Sequence, residues 1–377
     1  MLDFTMVIVD KITNISPEAW DEIFPDNMIE GYAYFKALDE SNITLFSLHY
    51  AIVYKMDRIV SIAPLYIADF SFDTTIHGFL KKMVSSIQKI FPKFLRIKIL
   101  FFGSPLTEEA VIGFSKDCDR NQILNFLNQE IVHFCKERSI SVIAFYNLTK
   151  RDMPVIDFLK NNSFGCMEAY PIVRLDIKER SLEEYIQNLG KNTRKDIKRK
   201  LKKAYETDDI KIEERNNLNG LLTQAYQLYL NNFNRSDVSF EKLTVEYFSK
   251  VSEYMPGITK FFIVWINNKM VAINLCFING DVCIDKYLGL DYDVAHKYSL
   301  YFVTWCHNID WCIKHGVRYY QPGTGDYEPK IRLGGALFPL YVCARYLNPF
   351  INRFTKPFIK LIEPKRFDPI LKNQKYE

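Results

Sequence analysis

The chain has 377 residues, 48% hydrophobic and 15% aromatic, a length beyond one ordinary domain and a composition that excludes wholesale disorder. Its 49 basic and 45 acidic residues leave a formal charge of +4, too small to argue for nucleic acid, so any cationic patch must be local. No apolar run approaches the ~20 residues of a spanning helix, and Asp3 stands where a signal peptide wants positive charge, so a cytoplasmic protein is expected.

Alternation from Met6 to Asp10 predicts a strand, and Ser16-Pro17 supplies an N-cap followed by proline at the first helical position, opening a helix through Ile23. A second helix is expected over residues 32–41. Residues 46–54 and 59–66, rich in aromatic and β-branched side chains, form a predicted hairpin. Between Asp73 and Glu108 there is no acidic residue but six basic ones, and Phe79, Met83, Ile87 and Ile90 recur at helical spacing. This is an inserted basic amphipathic helix. Either residues 79–98 make a peripheral membrane contact, or the helix docks on its own domain with a solvated basic face.

Strands are then expected at 97–102, 142–146 and 167–175, separated by helices at 122–138 and 153–162. Helices at 182–189, 191–205, 218–233 and 244–253 precede strands at 259–266, 270–278 and 282–290 and a long helix at 299–315. Strands at 317–321 and 337–344 bracket a glycine-bearing loop. The order of elements repeats without a residue-level repeat, which predicts an α/β chain of two domains, 1–170 and 171–346. A proline-containing tail, 347–377, follows and wraps the surface, because Pro349, Pro357, Pro364 and Pro369 prevent one long helix. The eight cysteines include no Cys-x-x-Cys pair and most lie in apolar runs, so they are expected to be reduced core residues, with no metal site.

Three features carry candidate chemistry. Residues 191–203 hold eight basic side chains against the single Asp196. On a helix Arg194, Lys198 and Lys202 share a face with Lys191 beside them, and like charges at i,i+4 repel unless an anion lies between them. That face is either a phosphate clamp or a solvated surface. Next, Gly323 and Gly325 follow a predicted strand and allow close backbone approach to a ligand, while Asp326, Tyr327, Glu328, Lys330 and Arg332 gather acid, base and cations within seven residues. Neither Gly-x-Gly-x-x-Gly nor Gly-Lys-Ser/Thr occurs, which excludes dinucleotide and P-loop readings. Finally, alternation in the strand around Asp285 places Asp285 and Tyr287 on one side and Lys286 on the other. They act as proton acceptor and donor if that face lines a cleft, and are water-contacting edge residues if it does not. The six histidines form no hydrolytic or metal-binding constellation.

Several stretches resemble the FemAB-like acyltransferases, relatives of the GNAT acetyltransferases. They are Tyr34-Phe-Lys-Ala-Leu-Asp-Glu-Ser41, Phe102-Gly-Ser-Pro-Leu-Thr107, Phe158 to Phe164 with Lys191 to Lys200, Thr244-Val-Glu-Tyr-Phe248, and above all Gly323-Thr-Gly-Asp-Tyr-Glu-Pro-Lys330 through Gly334 and Pro339. The resemblance implies two tandem GNAT-like domains with mixed sheets flanked by helices. It also implies transfer of an acyl or aminoacyl group to a substrate amine from acyl-CoA, an acyl-carrier protein or an aminoacyl-tRNA. The family's lysine maps to Lys330 and its basic helix to Arg194 and Lys198, whereas its histidine position is Pro329. Residues 291–299 lack the glycines of a coenzyme A pyrophosphate loop.

On this reading Lys330 steadies the oxyanion, Asp285 is the base, Tyr287 or Tyr327 the acid, and Arg194, Lys198, Lys191, Gly323, Gly325 and Arg332 hold the donor. The partners are a small-molecule amine and a carrier protein or tRNA, with no DNA. The competing readings are a non-catalytic binder of anionic lipid or cell-wall precursor, and an RNA-binding module.

Overall fold

The computed structural model describes residues 4–24, 28–44, 46–71, 96–207, 210–235, 242–372, 374 and 376. The predicted basic helix at 79–91 lies outside them. The chain first runs β1 (Phe4–Val9), α1 (Pro17–Ile23), α2 (Tyr32–Asp39), β2 (Ser47–Lys55), β3 (Arg58–Ser71), β4 (Arg96–Phe102), β5 (Gly113–Phe114), α3 (Arg120–Glu137), β6 (Val142–Leu148), α4 (Met153–Asn161) and β7 (Gly165–Glu168). It continues with β8 (Ile172–Asp176), α5 (Leu182–Asn188), α6 (Lys191–Thr207), β9 (Ile210–Arg215), α7 (Leu222–Arg235), α8 (Val245–Tyr254), β10 (Thr259–Ile266), β11 (Lys269–Asn279) and β12 (Val282–Leu290). It ends with α9 (Tyr292–Tyr298), α10 (Leu300–Lys314), β13 (Tyr319–Gln321), α11 (Tyr327–Arg332), β14 (Ala336–Phe338), β15 (Tyr341–Tyr346), α12 (Pro349–Thr355), a 3-10 segment (Lys356–Ile362) and α13 (Pro369–Lys372).

These elements form two units, neither of them a contiguous stretch. The first comprises Met1–Asn27, Thr44–Ala169 and Leu340–Phe367, and the second Met28–Ile43, Tyr170–Pro339 and Asp368–Glu377. In the first, the sheet order is β1-β2-β3-β4-β6-β15-β7, with β5 on β3. In the second it is β14-β8-β13-β12-β11-β10-β9. Among the described residues each sheet has one parallel strand pair, β4 with β6 and β12 with β13, and each pair is joined through a helical crossover, as parallel neighbours require. The repeat therefore lies in connectivity.

Local signals account for many boundaries. Ser16 accepts a hydrogen bond from the Ala19 N–H at 3.1 Å and starts α1, and Thr244 caps α8 through the Tyr247 N–H at 3.3 Å. Leu100, Phe102, Leu127, Phe145 and Phe164 lie in the core of the first unit, and Phe262, Cys276, Trp305, Ile309 and Tyr320 in that of the second.

Four expectations need correction. The strand predicted over 167–175 is two strands, β7 and β8, which belong to different sheets and are divided at Tyr170-Pro171; proline cannot continue a ladder through its missing N–H. The strand predicted over 337–344 divides in the same way at Pro339 into β14 and β15. The long helix at 299–315 begins at Leu300, because Ser299 adopts a left-handed φ of 53° and separates α10 from the unpredicted α9. Finally, Cys166 and Cys343 are joined in a disulfide, since antiparallel pairing of β7 with β15 places them directly opposite one another. Among the described residues no helix is long and apolar enough to cross a membrane.

Candidate active site

In the second unit, β12 carries Asp285 into a buried polar cluster. The register of β11 on β12 pairs Leu275 with Tyr287 and Cys276 with Asp285, so Lys286 is an extra residue, a β-bulge. Leu275 and Cys276 point to opposite faces of the sheet, and their partners must do the same. Asp285 and Tyr287 therefore face opposite sides, which corrects the alternation expected from sequence. Asp285 meets Asn308 of α10 and Tyr320 of β13, whereas the Tyr287 ring packs edge-on against Tyr229 of α7 and Tyr247 of α8, with centroids 5.9 Å and 5.8 Å away.

The Asp285 carboxylate accepts hydrogen bonds from Asn274 Nδ2 at 2.5 Å, from Asn308 Nδ2 at 3.3 Å and from the Tyr320 hydroxyl. Asn308 Nδ2 also donates to the Tyr320 hydroxyl at 3.2 Å and to Asn274 Oδ1. Asn274, Asn308 and Tyr320 are fully buried, and the hydrogen bonds among them offset most of the cost of taking their polar groups from water. Two atoms around the cluster find none in the structure, Asn308 Oδ1 and the hydroxyl of Tyr301 on α10. Burial raises the pKa of Asp285, while the hydrogen bonds from Tyr320 and Asn274 and the charge of Lys330 pull it back. The residue keeps a partly accessible surface.

Lys330 lies on α11, buried, with its ammonium donating to the carbonyls of Pro322 at 2.8 Å and Thr324 at 2.9 Å. The loop between them turns through three left-handed residues, Gly323 (φ 70°), Gly325 (φ 76°) and Asp326 (φ 43°), which directs its carbonyls inward at the cation. Gly335 allows α11 to sit this close to β8: a Cβ there would lie 2.4 Å from Val173 Cγ1 and 2.9 Å from the Lys330 carbonyl oxygen.

The remaining expected site residues are dispersed. Tyr327 is buried, stacks on Tyr170 and donates its hydroxyl to the Pro171 carbonyl at 3.0 Å. Arg332 is exposed at the end of α11. Lys191 and Lys198 are exposed on α6, and Arg194 donates to the Gln187 carbonyl at 2.7 Å. The basic helix does meet α10, the helix that supplies Asn308, and Lys200 of α6 lies 3.5 Å above the Phe302 ring. At the end of β12, Asp291 caps α9 through the Asp293 N–H at 3.1 Å and pairs with Lys269 at 2.7 Å. The second amide of that helix is thus already bound by a carboxylate. Sequence reasoning missed Asn274, Asn308 and Tyr320; the one signal was Asn274 within an otherwise apolar run.

Comparison with known proteins agrees with this architecture. The FemAB-like family model, described as peptidoglycan biosynthesis/recognition, matches residues 11–365. No curated protein sequence is significantly similar. Among solved structures, FemX superposes with a TM-score of 0.53 at 12% identity, covering 82% of this chain and 90% of that one. A tandem GNAT protein from the clavulanic acid biosynthesis pathway gives 0.56 at 8% identity, covering 92% and 99%. A conserved protein of unknown function from Bacteroides thetaiotaomicron gives 0.52 at 10% identity, covering 91% and 99%. At such identities the structural matches establish a shared fold, two GNAT-like domains in tandem. With the family model spanning nearly the whole chain, the protein belongs to the FemAB-like family.

Proposed function

We propose that the protein is an N-acyltransferase that moves an acyl or aminoacyl group from an activated thioester or ester to a substrate amine. The observation that carries this reading is the partly accessible Asp285 carboxylate, its pKa raised by desolvation, held by one phenol and two carboxamides within the field of the Lys330 cation. The amine nitrogen attacks the donor carbonyl carbon and a C–N bond forms. Asp285, the accessible member of the cluster, takes the amine proton itself, while the buried Tyr320 hydroxyl donates to the carboxylate and holds it in place. The positive charge of Lys330 steadies the tetrahedral oxyanion. As the C–S or C–O bond breaks, the protonated Asp285 returns that proton to the leaving thiolate or alkoxide.

Asp285 serves in turn as base and acid in this scheme, with Tyr320 as its positioning partner, because Tyr287 faces the other side of the sheet and Tyr327 is bonded to Pro171. Arg194, Lys198 and Lys191 of α6 hold the donor's phosphates, and Asp291 disfavours a pyrophosphate at the start of α9 because its carboxylate repels anions there. An aminoacyl-tRNA or a carrier-borne thioester fits such a site better than coenzyme A does.

Asp285→Asn is the test, with native mass spectrometry of the purified protein identifying the donor and product formation on a panel of amines as the assay. The expected loss in kcat is about 10²- to 10⁴-fold with the fold intact. Undiminished turnover in a folded variant removes Asp285 from the chemistry.

A further inference from the structure

The segment after β15 presents its apolar side to solvent. Seven of the eleven strongly exposed large apolar side chains among the described residues lie between 350 and 367. Phe350, Phe354 and Phe358, each four residues from the next, are 76%, 71% and 61% exposed, and Leu361, Ile362 and Phe367 extend the stripe. The inner side of α12 is polar. Asn352 is buried, donates to the Ser163 carbonyl at 3.0 Å and accepts from the Tyr346 N–H at 3.1 Å. This helix is amphipathic in the reverse sense from a surface helix that packs on a core. The reversal is firmly held: the 3-10 segment lies against β7 so closely that a Cβ on Gly165 would come within 2.9 Å of Ile359.

Charge interleaves with the stripe. From Arg345 to Phe367 there are six basic residues and one acidic residue, Glu363, which accepts from the Glu168 N–H at 3.4 Å and pairs with Arg366 at 3.9 Å. Beside α12 a groove of about 700 Å³ is lined by Lys136, Arg345, Arg353 and Lys356 and by no acidic residue. Arg345 is fixed by hydrogen bonds to Asn162 O at 3.1 Å and Asn128 Oδ1 at 2.9 Å, while Lys136, Arg353 and Lys356 have no ionic partner among the described residues.

The geometry points to an interfacial anchor: the face formed by residues 349–367 docks on an anionic phospholipid bilayer. Phe350, Phe354 and Phe358 enter the headgroup boundary and the cations of the groove take lipid phosphates. Rigid aromatics flanked by lysine and arginine are what such a surface selects. A second copy of this chain is a poor occupant, because pairing the faces would bring like charges together.

The test is co-sedimentation of the full chain with vesicles of phosphatidylcholine alone or with about 30% phosphatidylglycerol. The expected result is binding to the anionic vesicles only. Arg353→Gln with Lys356→Gln should weaken it roughly 25-fold, at about fivefold per charge. Phe354→Ser with Phe358→Ser should abolish most of the remainder without lowering the unfolding temperature, since both rings are exposed. In Phe354→Trp, the indole emission should shift to the blue on anionic vesicles. Absence of binding by the unaltered protein overturns the proposal. So does equal binding by the serine variant, which would assign the lipid to another part of the chain, and so does a concentration-dependent dimer that the serines abolish.

Discussion

Asp285 and Lys330 are linked by charge: the ammonium lowers a carboxyl pKa that burial raises. In the proposed reaction the base works ionised, so the rate should fall as pH drops through the Asp285 pKa, at a higher pH than for a solvated aspartate. Lys330→Met removes the opposing cation and should move the acidic limb of the kcat/KM profile to still higher pH. An unmoved limb in a folded variant would show that the two charges are uncoupled. The sequence marked Asp285 and Lys330 because a charged residue in a strand and a lysine after glycines are conspicuous along the chain. Asn274, Asn308 and Tyr320 are inconspicuous there, because what makes them a site is convergence from β11, α10 and β13, set by strand register.

The bulge in β12 is the element on which the site turns. Without the extra residue Asp285 and Tyr287 would share a face. With it, Asp285 reaches the α10 side, and Lys286 forms a buried ion pair with Glu30, 2.5 Å apart and only 3% and 7% exposed at the side chains. Lys286 also lies 5.7 Å from the ring centre of Tyr34, whose hydroxyl is 3.3 Å from that of Tyr247. Lys286→Met leaves Glu30 as an uncompensated buried charge and should cost about 3–5 kcal/mol in denaturant unfolding, while adding Glu30→Gln should restore much of it. If the double variant is no better than the single, the pair is not the unit of stability. Hairpins and amphipathic helices were legible because their signals are local. The bulge has no glycine to announce it, and β9 was missed because Ile210–Arg215 pairs with β10 while carrying charged side chains.

At the scale of the whole chain, element order predicted two similar halves, and each unit does repeat a hairpin, a crossover and a parallel strand. Which segment completes which sheet was not legible, since strand exchange leaves no periodic trace. The chain passes from one unit to the other five times. The Cys166–Cys343 bond ties β15 to β7 across a separation of 177 residues. Replacing both cysteines by alanine, or reducing the bond, should lower stability by about 2–4 kcal/mol. Equal midpoints for oxidised and reduced protein would mean that strand pairing alone holds β15.

The position of β15 between β6 and β7 also dictates a timetable. On the ribosome both neighbours emerge long before Tyr346, and at ordinary rates of synthesis the gap between them stays open for about 10–35 s. Until then the nascent sheet offers two bare strand edges to any passing polypeptide, a hazard that a chaperone or fast translation would have to cover.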